Sequence, residues 1–84
     1  MNFDGDSGAT INKKLGDTVA VKGGATGTLS DNNIGVVSDG TGTLNVKLAK
    51  TLTGLDSVTA GDTTINNGGL TVGGKNYVSP NGIN

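Results

Sequence analysis

The chain has 84 residues and a net charge of −1, with seven Asp and six Lys but no Glu, Gln, Arg, His, Cys or Trp. That length allows one small domain. Disulfides and a zinc site built on Cys or His are excluded, and the balanced charge gives no reason to expect nucleic acid.

Met1 to Gly8 opens the chain. "MNFDGDSG" has two Asp where a secretion signal needs a basic region, so the reading is either a cytosolic chain or a piece of a larger secreted one. Residues 1–6 are expected to be a flexible leader. "DGDSG" resembles the start of a calcium loop. Gly8 stands where a third ligand belongs, however, and Leu15 takes the place of the twelfth-position Glu. A solvated turn is the better reading, and no metal is expected.

"SGATINKKL" (7–15) is a weak strand candidate. "GDTVAVKGG" is clearer: Val19 and Val21 share one face and Gly23-Gly24 stop the run. "KGGATG" lacks the order of a phosphate-binding loop, so it reads as a turn. Ile34, Val36 and Val37 lie between two turn clusters. "SDGTG" then joins them to "TLNVKL" as a hairpin with Asp39-Gly40 at the turn. Leu44, Val46 and Leu48 fall on one face of that second strand.

After Leu48 the period changes. Leu48, Leu52 and Leu55 are spaced i, i+4, i+7, which predicts a helix of about two turns ended by Gly54. A helix that short needs packing to hold it. Two supports are open: its own sheet, or copies of itself around a symmetry axis. The second is favoured, because the spacing matches a heptad and the chain is short of core residues. Four Ile, eight Val, seven Leu, one Phe and one Tyr are a thin supply for a lone domain.

"SVTAGDTTINNGGLTVGG" predicts a β-meander with Asn67-Gly68 as its strongest hairpin signal. In "GGLTVGGK", Lys75 is followed by Asn76, and no helix follows to hold a phosphate. A last extended piece and a turn at Pro80-Asn81-Gly82 close the chain. Nucleophilic catalysis has no His to serve as base, and every Asp sits in a turn context; Ser and Lys are present for a Ser/Lys dyad, but nothing specific in the sequence pairs them. The chain is not expected to be an enzyme, and no cofactor is expected.

Taken in order, "NNIGVVSDGTGTLNVKLAKTLTGLDSVTAGDTTINNGGLTVGG" resembles the passenger modules of trimeric autotransporter adhesins, particularly the Hia/Hsf type. "KLGDTVAVKGG" resembles the strand of the modules named for their Lys-Gly motif, and "NGIN" (with Pro80 making up 80–84) looks like the lead-out toward a neck and stalk. The resemblance covers roughly Asp6 to Asn84. It implies a single module of mainly β structure with one short helix, a small β-meander or β-prism unit completed by interleaved homotrimerisation. It also implies a place on the bacterial cell surface, as the passenger of an outer-membrane autotransporter. The family's Trp-bearing modules carry some of its receptor pockets. With no Trp here, the expected role is structural: spacing and orienting the host-binding domains of a parent adhesin. The alternative is a module that itself binds a host receptor or matrix protein. Leu44, Val46, Leu48, Leu52 and Leu55 are the expected trimer interface.

Overall fold

The computed structural model describes residues 1–84 and is all β. Nine strands form three separate antiparallel sheets. β1 (Asn2–Phe3) pairs with β2 (Ile11–Asn12), so part of the stretch expected to be a leader is in a strand. The Met1 and Lys13 backbones extend that pair by one step, with two 2.8 Å hydrogen bonds. β3 (Ile34–Ser38) pairs with β4 (Leu44–Leu48). β5 (Ser57–Ala60), β6 (Thr63–Asn66), β7 (Gly69–Val72), β8 (Lys75–Ser79) and β9 (Gly82–Ile83) make one five-stranded meander.

The turns follow from the residues that occupy them. Gly73 and Gly74 join β7 to β8 with φ of +58° and +86°, the two positive values a type I′ turn requires. Gly61 has φ +59° while Asp62 does not go positive, as in a type II′ turn. At Asn67-Gly68 the positive φ falls one residue later, on Gly69 (+103°), which closes the hairpin from the strand side. Pro80-Asn81 turns the chain in the same way, with Gly82 at +130°, and β9 pairs with β8.

Two expected elements are absent. Thr18 to Lys22 is not a strand. No backbone hydrogen bond of the chain partners residues 18–32, and a strand without a partner cannot satisfy its N–H and C=O groups except with water. The helix over Leu48–Leu55 does not form either: residues 49–56 are bends and irregular backbone. Its spacing was helical, but its residues are not. Thr51 and Thr53 are β-branched and Gly54 stands at φ +69°. Leu52 and Leu55 keep about 40% of their surface exposed, so little burial is gained to repay the nucleation penalty. A local competitor also takes the backbone, as described below.

The molecule measures 59 × 24 × 21 Å, with a radius of gyration of 19.1 Å. A globular chain of this length would have roughly 12 Å. No hydrophobic side chain is buried, so there is no core within one chain. No helix is long and apolar enough to cross a membrane.

Candidate interaction surface

β3 and β4 are in register as Ile34↔Leu48, Val36↔Val46 and Ser38↔Leu44. Side chains alternate along a strand, and residues directly paired across strands share a face. Ile34, Val36, Leu44, Val46 and Leu48 therefore form one continuous apolar face. All five are exposed, Val46 at 71% and Leu44 at 69%. Lys47, Asn45 and Gly35 lie on the other face. Leu44, Val46 and Leu48 were expected as partners on one face, and the structure brings them together. Ile34 and Val36 join them there. Register supplies that grouping: the connection runs over residues 39–43, longer than an Asp39-Gly40 turn alone, which sets Ser38 opposite Leu44 and so Ile34 and Val36 opposite Leu48 and Val46.

Leu52 and Leu55 lie on the irregular segment that follows β4 rather than on a helical stripe, each about 40% exposed. That segment is held by Asn33. Its Nδ2 donates to the Thr53 carbonyl and its Oδ1 accepts from the Thr53 N–H, each at 2.9 Å. The amide thus occupies both backbone groups of Thr53 as a neighbouring strand would. The Asn33 carbonyl also accepts from Ala49 N–H at 2.8 Å. Asn33 is the one buried residue of the chain, and both its side-chain polar atoms are satisfied. Asn32 precedes it at φ +65°, a conformation Asn tolerates. Sequence reasoning did not single out this pair. "DNN" before an apolar run was its only signal.

The loop joining β3 to β4 is built on Asp39. Its Oδ1 accepts from the N–H groups of Thr41 (2.7 Å), Gly42 (3.0 Å) and Thr43 (3.1 Å). These bonds, that of Thr41 first, favour the ionised carboxyl and lower its pKa from 3.8 to about 2. In "DGDSG", the Asp4 carboxylate accepts from the Thr10 hydroxyl, so it serves the turn between β1 and β2. No group of three or more His, Cys, Asp or Glu side chains comes together. Lys75, beside the Gly73-Gly74 turn, places its Nζ 5.0 Å from the centroid of the Tyr77 ring. Nothing in this arrangement pairs a nucleophile with a base. What the chain offers is uncovered apolar sheet.

No protein-family model matches the chain, and no solved structure matches it. One curated protein aligns with all of it: the trimeric autotransporter adhesin AtaA of Acinetobacter sp. (strain Tol 5), 42% identical over 93 aligned positions. The chain is similar, end to end, to a segment of a trimeric autotransporter adhesin. That likeness supports the adhesin family. The chain spans 2% of the length of this relative, so the adhesin-like segment is one small part of a much longer architecture there.

Proposed function

We propose that this chain is a structural, non-adhesive module of a bacterial surface trimeric autotransporter adhesin. It works as a homotrimer that spaces and orients the host-binding regions of its parent protein. One observation carries this reading. The chain exposes 7452 Å². A folded monomer of its mass exposes roughly 4,500 Å². The surplus of roughly 2,900 Å² per chain is the size of an obligate subunit interface, for which about 2,000–5,000 Å² is usual.

The face made by Leu44, Val46 and Leu48, widened by Ile34 and Val36, is where the three chains meet. Leu52 and Leu55 continue the interface along the segment that Asn33 holds. Burial stabilises each such side chain by roughly 1.5–3 kcal/mol. The elongated shape suits a spacer, since each module contributes its long axis, 59 Å, to the reach of the assembly. Trimerisation also gives three copies of any distal binding region, and so avidity.

Sedimentation at micromolar concentration tests this. A mass three times that of the chain is expected, and a folded monomer would refute the proposal. The non-adhesive part has its own test. Beads coated with the purified trimer are expected to bind host cells no better than uncoated beads, and specific capture would reassign the module as a receptor-binding one.

A further inference from the structure

An asparagine followed by glycine can modify itself, because no side chain shields the backbone nitrogen that follows the carboxamide. The chain has two such pairs, Asn67-Gly68 and Asn81-Gly82, both at exposed turns of the meander. At the first pair the chemistry needs nothing but water. The Gly68 nitrogen gives up its proton to solvent base and attacks Cγ of Asn67. The bond from Cγ to Nδ2 breaks, and the nitrogen takes up a proton and leaves as ammonia. A succinimide ring remains. Water then opens the ring at either carbonyl, so position 67 becomes an aspartyl or an isoaspartyl residue with a new negative charge.

The two pairs are held differently. Gly82 stands opposite Ser79 in the β8–β9 ladder. Beside it the Asn84 N–H donates to the Tyr77 carbonyl at 2.8 Å, so by alternation Ser79 and Gly82 are a hydrogen-bonded pair. The Gly82 nitrogen thus belongs to the sheet. Gly68 lies outside any ladder, since Asn66 and Gly69 are the last pair of β6 and β7. Two side chains hold it instead. Its N–H donates to Asn66 Oδ1 at 2.8 Å, and its carbonyl accepts from Asn76 Nδ2 at 3.2 Å.

Asn76 stands beside a bulge. Thr71 pairs with Asn76 and Leu70 with Val78, leaving Tyr77 as the extra residue. The same Nδ2 lies 3.3 and 3.0 Å from the carbonyls of Leu70 and Val78, which ties the Gly68 carbonyl to the sheet. On the other side, a Cβ at position 68 would lie 3.2 Å from Asn66 Oδ1, so glycine is what lets that carboxamide sit so close. The Asn66 hydrogen bond bears on the first step of the reaction. It stabilises the protonated nitrogen and must be given up before that nitrogen attacks.

We infer that Asn67 is a latent site of spontaneous deamidation, and that the Asn66 carboxamide sets its rate by holding the Gly68 N–H. The inference stands apart from the homotrimer reading, since every group involved belongs to one hairpin. An isoaspartyl link adds a methylene to the backbone of a two-residue turn between paired Asn66 and Gly69, so the reaction marks an aged chain by straining the β6–β7 closure.

The parent chain, Asn66→Ala and Asn66→Asp are incubated at mildly alkaline pH, folded and in denaturant, and mapped by mass spectrometry that distinguishes isoaspartyl from aspartyl residues. Circular dichroism checks folding. The expected result is an isoaspartyl product at position 67 of the folded parent, formed about threefold or more slowly than in denaturant. Folded Asn66→Ala is expected to react about threefold or more faster than the folded parent. Asn66→Asp, whose carboxylate still accepts from Gly68, is expected to stay at or below the parent rate. In denaturant the parent and Asn66→Ala are expected to agree. An aspartyl product alone, or no product at position 67 of the folded parent, overturns the site. Equal rates for the folded parent and Asn66→Ala, or a fast Asn66→Asp, overturn the control by Asn66. If Asn66→Ala fails to fold, the parent decides: equal rates folded and in denaturant overturn the inference.

Discussion

Gly69 is held by two constraints at once. Its φ is +103°, and a Cβ built there would lie 1.8 Å from the Val78 carbonyl oxygen, because the bulge at Tyr77 draws β8 inward at that point. A side chain would need both a left-handed backbone and a displaced neighbouring strand. Gly69→Ala is therefore expected to destabilise the meander by more than about 2 kcal/mol, read as a lower thermal midpoint. Gly42→Ala, with ordinary φ and open space around it, is expected to stay within about 0.5 kcal/mol of the parent. Asp39 gives the second prediction at this scale. Its folded pKa is depressed to about 2 by the Thr41, Gly42 and Thr43 N–H groups. The stabilisation of the loop is thus complete above the ordinary carboxylate value of 3.8 and is lost as pH falls toward 2. Carboxyl chemical shifts followed from pH 6 to 1.5 are expected to show an Asp39 midpoint near 2, with the Thr41 amide shift moving in step. A midpoint near 3.8 would show that the loop does not hold the charge.

Among the elements, the segment after β4 shows how a local polar competitor overrides a periodic signal. The leucine spacing asks for a helix, but Asn33 offers Thr53 two hydrogen bonds of 2.9 Å, and Gly54 then turns the chain toward β5. Asn33→Ala is expected to lower stability by about 1–3 kcal/mol, since it removes both bonds and leaves the Thr53 groups without their partner. Hydrogen exchange locates the effect: the Thr53 amide should exchange much faster in the variant, while the amides of β6 and β7 keep their rates. If the whole chain loosened equally, Asn33 would be part of a global core rather than a local clamp. The meander behaves differently because its turns are encoded residue by residue. Each of its four connections is a two-residue turn with a glycine in or next to it, so it forms from contacts near in sequence.

For the molecule as a whole, the deciding quantity is area. An unfolded chain of this mass exposes roughly 11,900 Å², so the observed surface means that only about two-fifths is hidden on folding, against roughly three-fifths for an ordinary small domain. Stability should then depend on protein concentration. The thermal midpoint is expected to rise with each tenfold increase in concentration, as mass action requires of a coupled folding and assembly reaction. Val46→Asp, at the centre of the β3–β4 face, is expected to abolish the trimer and the cooperative transition together. A Val46→Asp chain that still melted cooperatively as a monomer would remove the interface from that face.

Much of this was readable from residue order. Absent His, Cys and Glu bounded the chemistry; glycine pairs and Pro80 marked the turns; alternation placed Leu44, Val46 and Leu48 on one face. These features are local, and local backbone preference is enough to set them. Three others were not readable: the loss of the helix at Leu52 and Leu55, the missing strand at Val19 and Val21, and the bulge that sets Val78 opposite Leu70. Each depends on whether a distant backbone group supplies a partner, Thr53 for Asn33 in the first case, none in the second, Leu70 for Val78 in the third. Periodicity measures which side chains prefer a common face. It carries no information about which hydrogen-bonding partner reaches that backbone, and in a chain with no core of its own the partner settles the outcome.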